Sequence, residues 1–503
     1  MAKRFKEKQL IQQRLQAEIG NQFQQGGPRV VMLYPSPYRA GMSSLGYQWI
    51  IGILQQNGFS VERAFLPDDV DSWKKSGAPI LSYETQTPLS HFEVIGVSLA
   101  YELELSGFIQ CLKLSGIPIL RESRGPQDPR IILGGPITFS NPLPTAPFVD
   151  AILLGEVEEI VSPAFRSAVE DHREDWLDVV QQLPGGFVPE RQGSTLPPIA
   201  KATDELLPAR SHILTPYTEL KNMFLIEGER GCHRGCTFCV MRRSTNGGMR
   251  LVLPEKIMSF VPEHATRVGL VGAAISDHPK LVPLLQKILD SGREIGISSL
   301  RADRVARKPD IARSLREGGY KTLTVASDAA SQRLRRQISK GTLEKHLFRC
   351  AELAKENKYK LLKIYMMVGL PDETTEDLDE LIRFGLEISK IHPISFGIAP
   401  FVAKKNTPLD GTHFAGVKEI DRRLKYIQKG LRPSKGRALM RSTSSRWAWI
   451  EYVLAQGGPE MGIAVAEAIE AGGTFADWKR AMKILPQAAY TPWRSPNLPI
   501  YQS

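Results

Sequence analysis

An α/β chain built from a Rossmann-like parallel sheet, a partial or full (β/α) barrel and a helical C-terminal region is the fold class that the sequence predicts. Three observations predict it. Short apolar runs alternate with helical ones in two successive stretches, a segment rich in Pro, Gly and polar residues separates them, and helical periodicity takes over beyond about Gly411. At 503 residues the chain exceeds one ordinary core, so two or three domains are expected. The pattern divides it into an N-terminal helix over 1–28, the Rossmann-like sheet over 29–182, a linker over 183–216, the barrel over 217–410 and the helical region over 411–503.

Taken in order, residues 4–18 alternate charged and apolar positions at helical spacing, which predicts a surface helix. The short apolar runs 30–33, 61–65, 94–99, 117–120, 131–133 and 151–154 do not alternate in and out. They read as strands buried on both faces, with helices at 45–57 and 108–115. Ligands of such sheets bind beyond the carboxyl ends of the strands. Three unusual loops fall there: Pro35-Ser36-Pro37-Tyr38-Arg39-Ala40-Gly41-Met42, Gly134-Gly135-Pro136 and Gly155-Glu156. Glycine at these points permits close backbone approach to a ligand or simply a tight turn. Residues 224–228, 267–271, 294–298, 322–326, 363–368 and 395–401 then read as barrel strands, whose C-terminal ends carry function in such folds. Helices are expected over 421–431, 447–455, 459–471 and 476–484, followed by an irregular tail over 492–499.

A formal charge of +11 and a pI near 9.3 favour an anionic substrate or a polyanionic partner such as RNA. Much of the excess lies in residues 418–446, where ten Lys or Arg face only Glu419 and Asp421. A solvated helix face accounts for such a run equally well, and no recognisable RNA-binding module accompanies it. No run of roughly 18 apolar residues occurs, and residues 1–25 lack an apolar segment ahead of a cleavage site. Cytoplasmic residence without a membrane partner is the expectation.

Five cysteines are too few for a disulfide scaffold. Cys111 and Cys350 stand alone in apolar contexts and read as core residues. Cys232, Cys236 and Cys239 crowd into one glycine-bounded loop, Glu229-Arg230-Gly231-Cys232-His233-Arg234-Gly235-Cys236-Thr237-Phe238-Cys239. Three thiolates on a short loop suit three irons of a cubane cluster and leave the fourth iron open, whereas structural zinc takes four protein ligands. A zinc site would need His233 or a distant residue as its fourth ligand. His278 offers a base, although a lone His before Pro is commonly a turn residue.

The C-x3-C-x2-C spacing resembles the signature of the radical S-adenosylmethionine (SAM) superfamily. That resemblance implies a 4Fe-4S cluster whose open iron binds the amino and carboxylate groups of SAM. It further implies reductive cleavage to a 5′-deoxyadenosyl radical, with electrons from an external donor such as flavodoxin or ferredoxin. Phe238 matches an aromatic that the superfamily places near the adenine. The segments at 272–279, 298–303, 327–335 and 369–374 fall at strand ends and resemble the branch that carries an N-terminal cobalamin-binding-type domain. By that resemblance Ser299, Arg301, Asp328 and Ser331 are expected to hold the ribose and carboxylate of SAM, since guanidinium suits a carboxylate and a carboxylate or hydroxyl suits a ribose. Asp328 stands where Glu is more usual, and each Ser or Asp at such a junction also caps helices. Residues 401–408, with Lys404 and Lys405, resemble the stretch that ends the barrel in methylthiotransferase-like and cobalamin-type radical SAM enzymes.

The same resemblance makes residues 29–182 a cobalamin-binding-type domain, with Tyr38, Gly41, Gly134, Gly135, Gly155 and Glu156 as expected cobalamin contacts. The D-x-H-x-x-G motif that supplies an axial histidine in many such domains is replaced by Pro35-Ser36-Pro37-Tyr38-Arg39-Ala40-Gly41. Cobalamin is then held without a protein imidazole, or the domain serves substrate or scaffold alone. The expected function is a cobalamin-dependent radical SAM methyltransferase acting on an unactivated carbon. The alternatives are a cobalamin-independent radical SAM enzyme modifying RNA or a small molecule, and a non-enzymatic iron-sulfur protein.

Overall fold

The computed structural model describes residues 2–21, 23–244, 248–298 and 300–482. Helix Ala2–Gln16 precedes β1 (Arg29–Tyr34), β2 (Ser60–Phe65), β3 (Val94–Ser98), β4 (Arg130–Gly134), β5 (Ala151–Leu153) and β6 (Gly186–Phe187). These strands form one sheet in the order β2-β1-β3-β4-β5-β6, parallel except for β6. β2 and β3 are buried at every position and β1 at all but Arg29, as double-sided helical cover requires. The order reverses between β1 and β3, which places the ligand crevice of a doubly wound sheet beyond those strand ends. Residues 117–120 form no strand, since Pro118 has no N–H to give a neighbour.

The second half begins with β7 (Met223–Glu227), followed at once by the hairpin of β8 (Glu229–Cys232) and β9 (Gly248–Leu251). Next come β10 (Arg267–Val271), β11 (Glu294–Ile297), β12 (Leu300–Arg301), β13 (Thr322–Asp328), β14 (Leu361–Val368), β15 (Ile394–Pro400) and β16 (Ala438–Ser442). β7, β10 and β11 pair in parallel, and so do β12 to β16 in sequence order. β12 resumes two residues after β11. Seven strand positions therefore follow one another, and among the described residues β16 does not pair with β7. This is a partial barrel. Phe224, Ile226, Val268, Ile295, Val325, Ile364 and Phe396 enter one core beneath the outer helices, so their neighbours in sequence face the lumen.

β16 lies inside the basic stretch that the sequence pattern assigns to helices. Arg437 and Arg441 conceal an alternation whose inward residues Ala438 and Met440 pack on the barrel core. Beyond it, helices Ser445–Gln456 and Pro459–Glu470 leave the barrel and cover the front sheet. Asn141 fastens them by donating its side-chain amide to the carbonyls of Leu454, Ala455 and Gly457 at 3.0, 3.1 and 2.7 Å. The proposed tail over 492–499 and Ile484 lie outside the described residues. No helix among those residues is long and apolar enough to cross a membrane.

The N-terminal helix is followed by a buried ion cluster. Arg63, on β2 and 1% exposed, donates to both carboxylate oxygens of Glu18 at 2.8 and 2.7 Å and to Glu84 at 2.6 Å. Removing the guanidinium leaves two buried carboxylates without their counter-charge. Arg63→Met is expected to cost about 3–5 kcal/mol, read as a lowered urea midpoint, with the N-terminal helix becoming the first segment to lose protection in hydrogen exchange.

Candidate functional site

The cysteine loop leaves β8 and is pinned by two backbone bonds: Thr237 N–H donates to Ile338 carbonyl at 3.1 Å, and Cys239 N–H to Cys236 carbonyl at 3.3 Å. Cys236 is buried, while Cys232 and Cys239 are half-buried. The three thiols sense one another. Burial raises Cys239 to about 11 and also raises Cys232, and in each case the neighbouring Cys236 adds to the rise. Thiols in this state ionise when a bound cation supplies the compensating charge. Among the described residues no three His, Cys, Asp or Glu converge as a single ion would require. A cubane takes one thiolate at each of three separate corners, and a soft, all-sulfur set on one short loop fits that demand. Phe238 packs between this loop and the barrel core.

The strand-end residues divide into two groups. Arg301 is buried and donates to Asp303 at 3.0 Å and to the Lys340 carbonyl at 2.6 Å. Lys340 in turn pairs through its ammonium with Asp328 and acts on Cys239. Arg301, Asp328 and the cysteine loop are thus brought together, and Lys340 joins them although nothing in its sequence context marks it. Asp328 sits at φ +62°, where the β13 to β14 register shifts. A left-handed aspartate at a strand end costs backbone energy that the Lys340 pair offsets.

Ser331 belongs elsewhere. It is fully buried as the cap of helix Gln332–Gln337, accepting from Leu334 N–H and donating to Asp377 at 2.5 Å, so its proton is committed and its hydroxyl is closed off from a ribose. Ser299 lies outside the described residues. His278 is buried with both ring nitrogens engaged, one against the Val252 carbonyl and the other accepting Lys280 N–H at 3.1 Å, which makes it a turn residue.

Facing the loop is a cavity of about 750 Å³. Gly134, Gly135, Gly155 and Glu156 line it from the front sheet, and Leu225, Gly231 and Gly272 from the barrel. Gly135 and Gly155 have φ of +102° and +93°, and a Cβ on either would press against backbone of Leu99 or Ala200. Tyr38 and Gly41 are not at this cavity. Tyr38 is fully buried, donating to Glu18 at 2.6 Å and stacked on Tyr83, and Gly41 lies against Phe65. Tyr38 helps to build the Arg63 cluster and Gly41 packs on the aromatic ring beside it, because the first strand-end loop turns inward.

The two halves meet across buried charge. Arg230 donates to both oxygens of Glu227, at 2.7 and 2.9 Å, and pairs with Glu158 at 2.7 Å. Arg250 on β9 pairs with Glu156, whose other oxygen accepts Ala202 N–H at 2.9 Å. Glu156 is therefore a fastening between front sheet and cysteine hairpin. Asp277 sits between Arg234 and Arg304, which overcome its burial and hold its carboxyl at about 2.

The family model for the radical SAM superfamily matches residues 226–385, and that for the N-terminal region of radical SAM proteins matches residues 46–189. The chain belongs to the radical SAM superfamily. Membership implies SAM and a four-iron, four-sulfur cluster, and makes this radical SAM protein an enzyme. It is 27% identical over 421 residues to "Uncharacterized protein MJ0966" of Methanocaldococcus jannaschii, covering 80% of this chain and 83% of that one. It is 24% identical over 302 residues to "Uncharacterized methyltransferase PH0819" of Pyrococcus horikoshii, covering 56% of this chain and 61% of that one. Among solved structures, the radical SAM methyltransferase TsrM from Kitasatospora setae, with tryptophan substrate and a SAM analogue bound, superposes with a TM-score of 0.53 at 13% identity, covering 74% and 73% of the two chains. The cobalamin-dependent SAM radical enzyme OxsB gives 0.50 at 14% identity, covering 80% of this chain and 56% of that one. At these identities the structural likeness concerns the fold.

Sequence pattern did not single out Glu229. It is 1% exposed, its Oε1 accepts Ala274 N–H at 2.6 Å, and its Oε2 has no partner. Burial, with Glu227 and Asp277 nearby, raises its carboxyl from 4.5 to about 7. The stability tied to its protonated form is fully present below its ordinary range and is lost as pH rises through about 7. Glu229→Gln keeps the acceptor for Ala274, so it is expected to flatten that pH dependence and to exceed the wild type above the window by on the order of 3 kcal/mol. Urea unfolding across pH checks the sign.

Proposed function

We propose that this radical SAM enzyme is a methyltransferase whose front sheet holds cobalamin against the mouth of the partial barrel. One observation carries the reading: a single cavity runs from the glycine-rich strand ends of the front sheet to Glu229, Arg230 and Gly231 on β8, the strand that leads into the cysteine loop. Its position is that of a ligand crevice in a doubly wound sheet. The names of PH0819 as a methyltransferase, TsrM as a radical SAM methyltransferase and OxsB as cobalamin-dependent support the same reading. Among the described residues no histidine lines the cavity, so the corrin would be held by shape and backbone without a protein imidazole, as the missing motif after β1 leads one to expect.

When bound, the cluster on Cys232, Cys236 and Cys239 supplies the electron that breaks the SAM sulfonium bond, and the corrin supplies a carrier for the methyl group. The chain itself orients and shields. Arg301 and Lys340, each paired with a carboxylate, bring charged donors and acceptors to the cysteine loop, where the polar groups of SAM would be received. Arg230 and Arg250 clamp the front sheet onto the cysteine hairpin, so the two cofactor positions keep a fixed separation. The largely apolar cavity wall excludes water from the reacting carbon.

Protein prepared without oxygen from cells given cobalamin is expected to carry both cluster and corrin in its visible spectrum. A Cβ at Gly134 would meet only the Leu153 carbonyl, at 3.7 Å. Gly134→Leu should therefore fold, fill the cavity and lose the corrin bands while keeping those of the cluster. Methylated product formed by protein free of cobalamin would sink the proposal. Cys236→Ala is expected to lose iron and SAM-derived 5′-deoxyadenosine together, with the fold intact by circular dichroism.

A further inference from the structure

Beyond Arg301 and Asp328 on the same sheet, β14 to β16 carry donors that the cofactor chemistry does not use. Tyr365 on β14, Gly397 on β15 and Arg441 on β16 are register partners in one row, with Lys363 one step below on the same face of β14. Their neighbours Ile364, Phe396 and Met440 pack into or against the outer core, which turns this row to the lumen. Gly397 is required here. A Cβ on it would lie 2.8 Å from the Tyr365 ring, so the missing side chain lets that ring lean across β15 toward β16. The Lys363 ammonium donates to the Tyr365 hydroxyl at 2.9 Å and stands 4.6 Å from the centre of its ring. Since that hydroxyl accepts from lysine, its own proton remains to be given away.

The charges on this wall are uncompensated. Tyr365 is 40% exposed and Arg441 is exposed, and among the described residues neither Lys363 nor Arg441 has a carboxylate partner. The lumen-facing carboxylates nearer the cysteine loop, Glu227 and Asp328, are already taken by Arg230 and Lys340. Two cations and a phenol thus present donors over a gap of roughly 10 Å, the span of two strand spacings, with no protein acceptor to receive them. A guanidinium beside an ammonium and a hydroxyl is the donor set that binds a carboxylate or a phosphate.

We infer that Lys363, Tyr365 and Arg441 form a subsite for an anionic group, carboxylate or phosphate, on the substrate of this enzyme. The inference rests on the reading that substrate reacts within the barrel lumen, and it does not depend on cobalamin. Arg301 stands in the same register row two strands before Tyr365, and Lys340 pairs with Asp328 on the strand beside β14, so this subsite lies alongside the position proposed for SAM, and its donors are distinct side chains.

The test uses the full chain with its cluster. An amine-reactive label followed by peptide mass spectrometry reads Lys363, with exposed Lys358 and Lys360 as internal references. Inorganic phosphate or acetate, with ionic strength held constant by chloride, is expected to slow labelling of Lys363 and leave Lys358 and Lys360 unchanged. Arg441→Gln should lose the protection and Arg441→Lys should retain part of it, with the visible cluster absorbance reporting that each variant is folded. Protection by phosphate alone points to a phosphorylated substrate, by acetate alone to a carboxylate, and by both to a subsite that takes either. Protection by neither anion, or undiminished protection in Arg441→Gln, overturns the subsite. The readout requires neither corrin nor turnover, so its failure is distinct from failure of the methyl-transfer reading.

Discussion

The guanidinium of Arg230, held among Glu227, Glu158 and Glu156 two residues before Cys232, is the interaction on which the site depends. Taking these ions out of water costs several kcal/mol per group, and only close geometry with every partner in place offsets it. Such a cluster adds little net stability compared with an apolar contact, but it tolerates few alternative arrangements. Glu156 and Glu158 come from the front sheet, Arg230 and Arg250 from the hairpin that carries the first cysteine. The strand-end crevice of one sheet and the strand-end loop of the other are therefore fixed against each other, and the cavity between them follows from that registration.

Legibility in the sequence tracked the range of the physics. The buried parallel strands announced themselves because double-sided cover demands unbroken apolar runs, and the cysteine loop because three soft ligands within eight residues have few other uses. β16 escaped notice because Arg437 and Arg441 raised the local charge until its short alternation resembled a helix face. The direction of side chains was not legible either. Ser331 is a helix cap, and Tyr38 with Gly41 turns toward the Arg63 cluster, since a loop at a strand end can face inward or outward with the same residues. Glu229 and Lys340 were missed for a related reason: each acquires its surroundings from another element, Glu229 from Ala274 after β10 and Lys340 from Asp328 at the end of β13.

Burial also explains why Glu229 stands apart from the other carboxylates near the loop. Asp277 is flanked by two arginines and stays ionised, whereas Glu229 has one backbone N–H, an unpartnered oxygen and two carboxylate neighbours. The same loop thus holds one acid that is fixed as an anion and one that changes its charge near neutrality, a separation set by partners rather than by residue type.

The lumen is electrically lopsided. Around the cysteine loop the positive groups are matched: Arg230 by glutamates, Lys340 by Asp328, Arg234 by Asp277. A cluster held by the three thiolates would add negative charge there. Further along the same sheet, on β14 and β16, Lys363 and Arg441 are unmatched among the described residues, and the lumen floor is closed by Met223 lying across Gly269 and Gly296. A low-polarity gap between regions of unequal charge sustains a field that water would otherwise screen. An anion entering it lowers its energy by turning its charge toward Lys363 and Arg441, which leaves its uncharged end free for reaction elsewhere in the lumen. Orientation by charge at one place and reaction at another suits chemistry that abstracts hydrogen from a carbon bearing no handle of its own, because the grip on the substrate need not touch the atom that reacts.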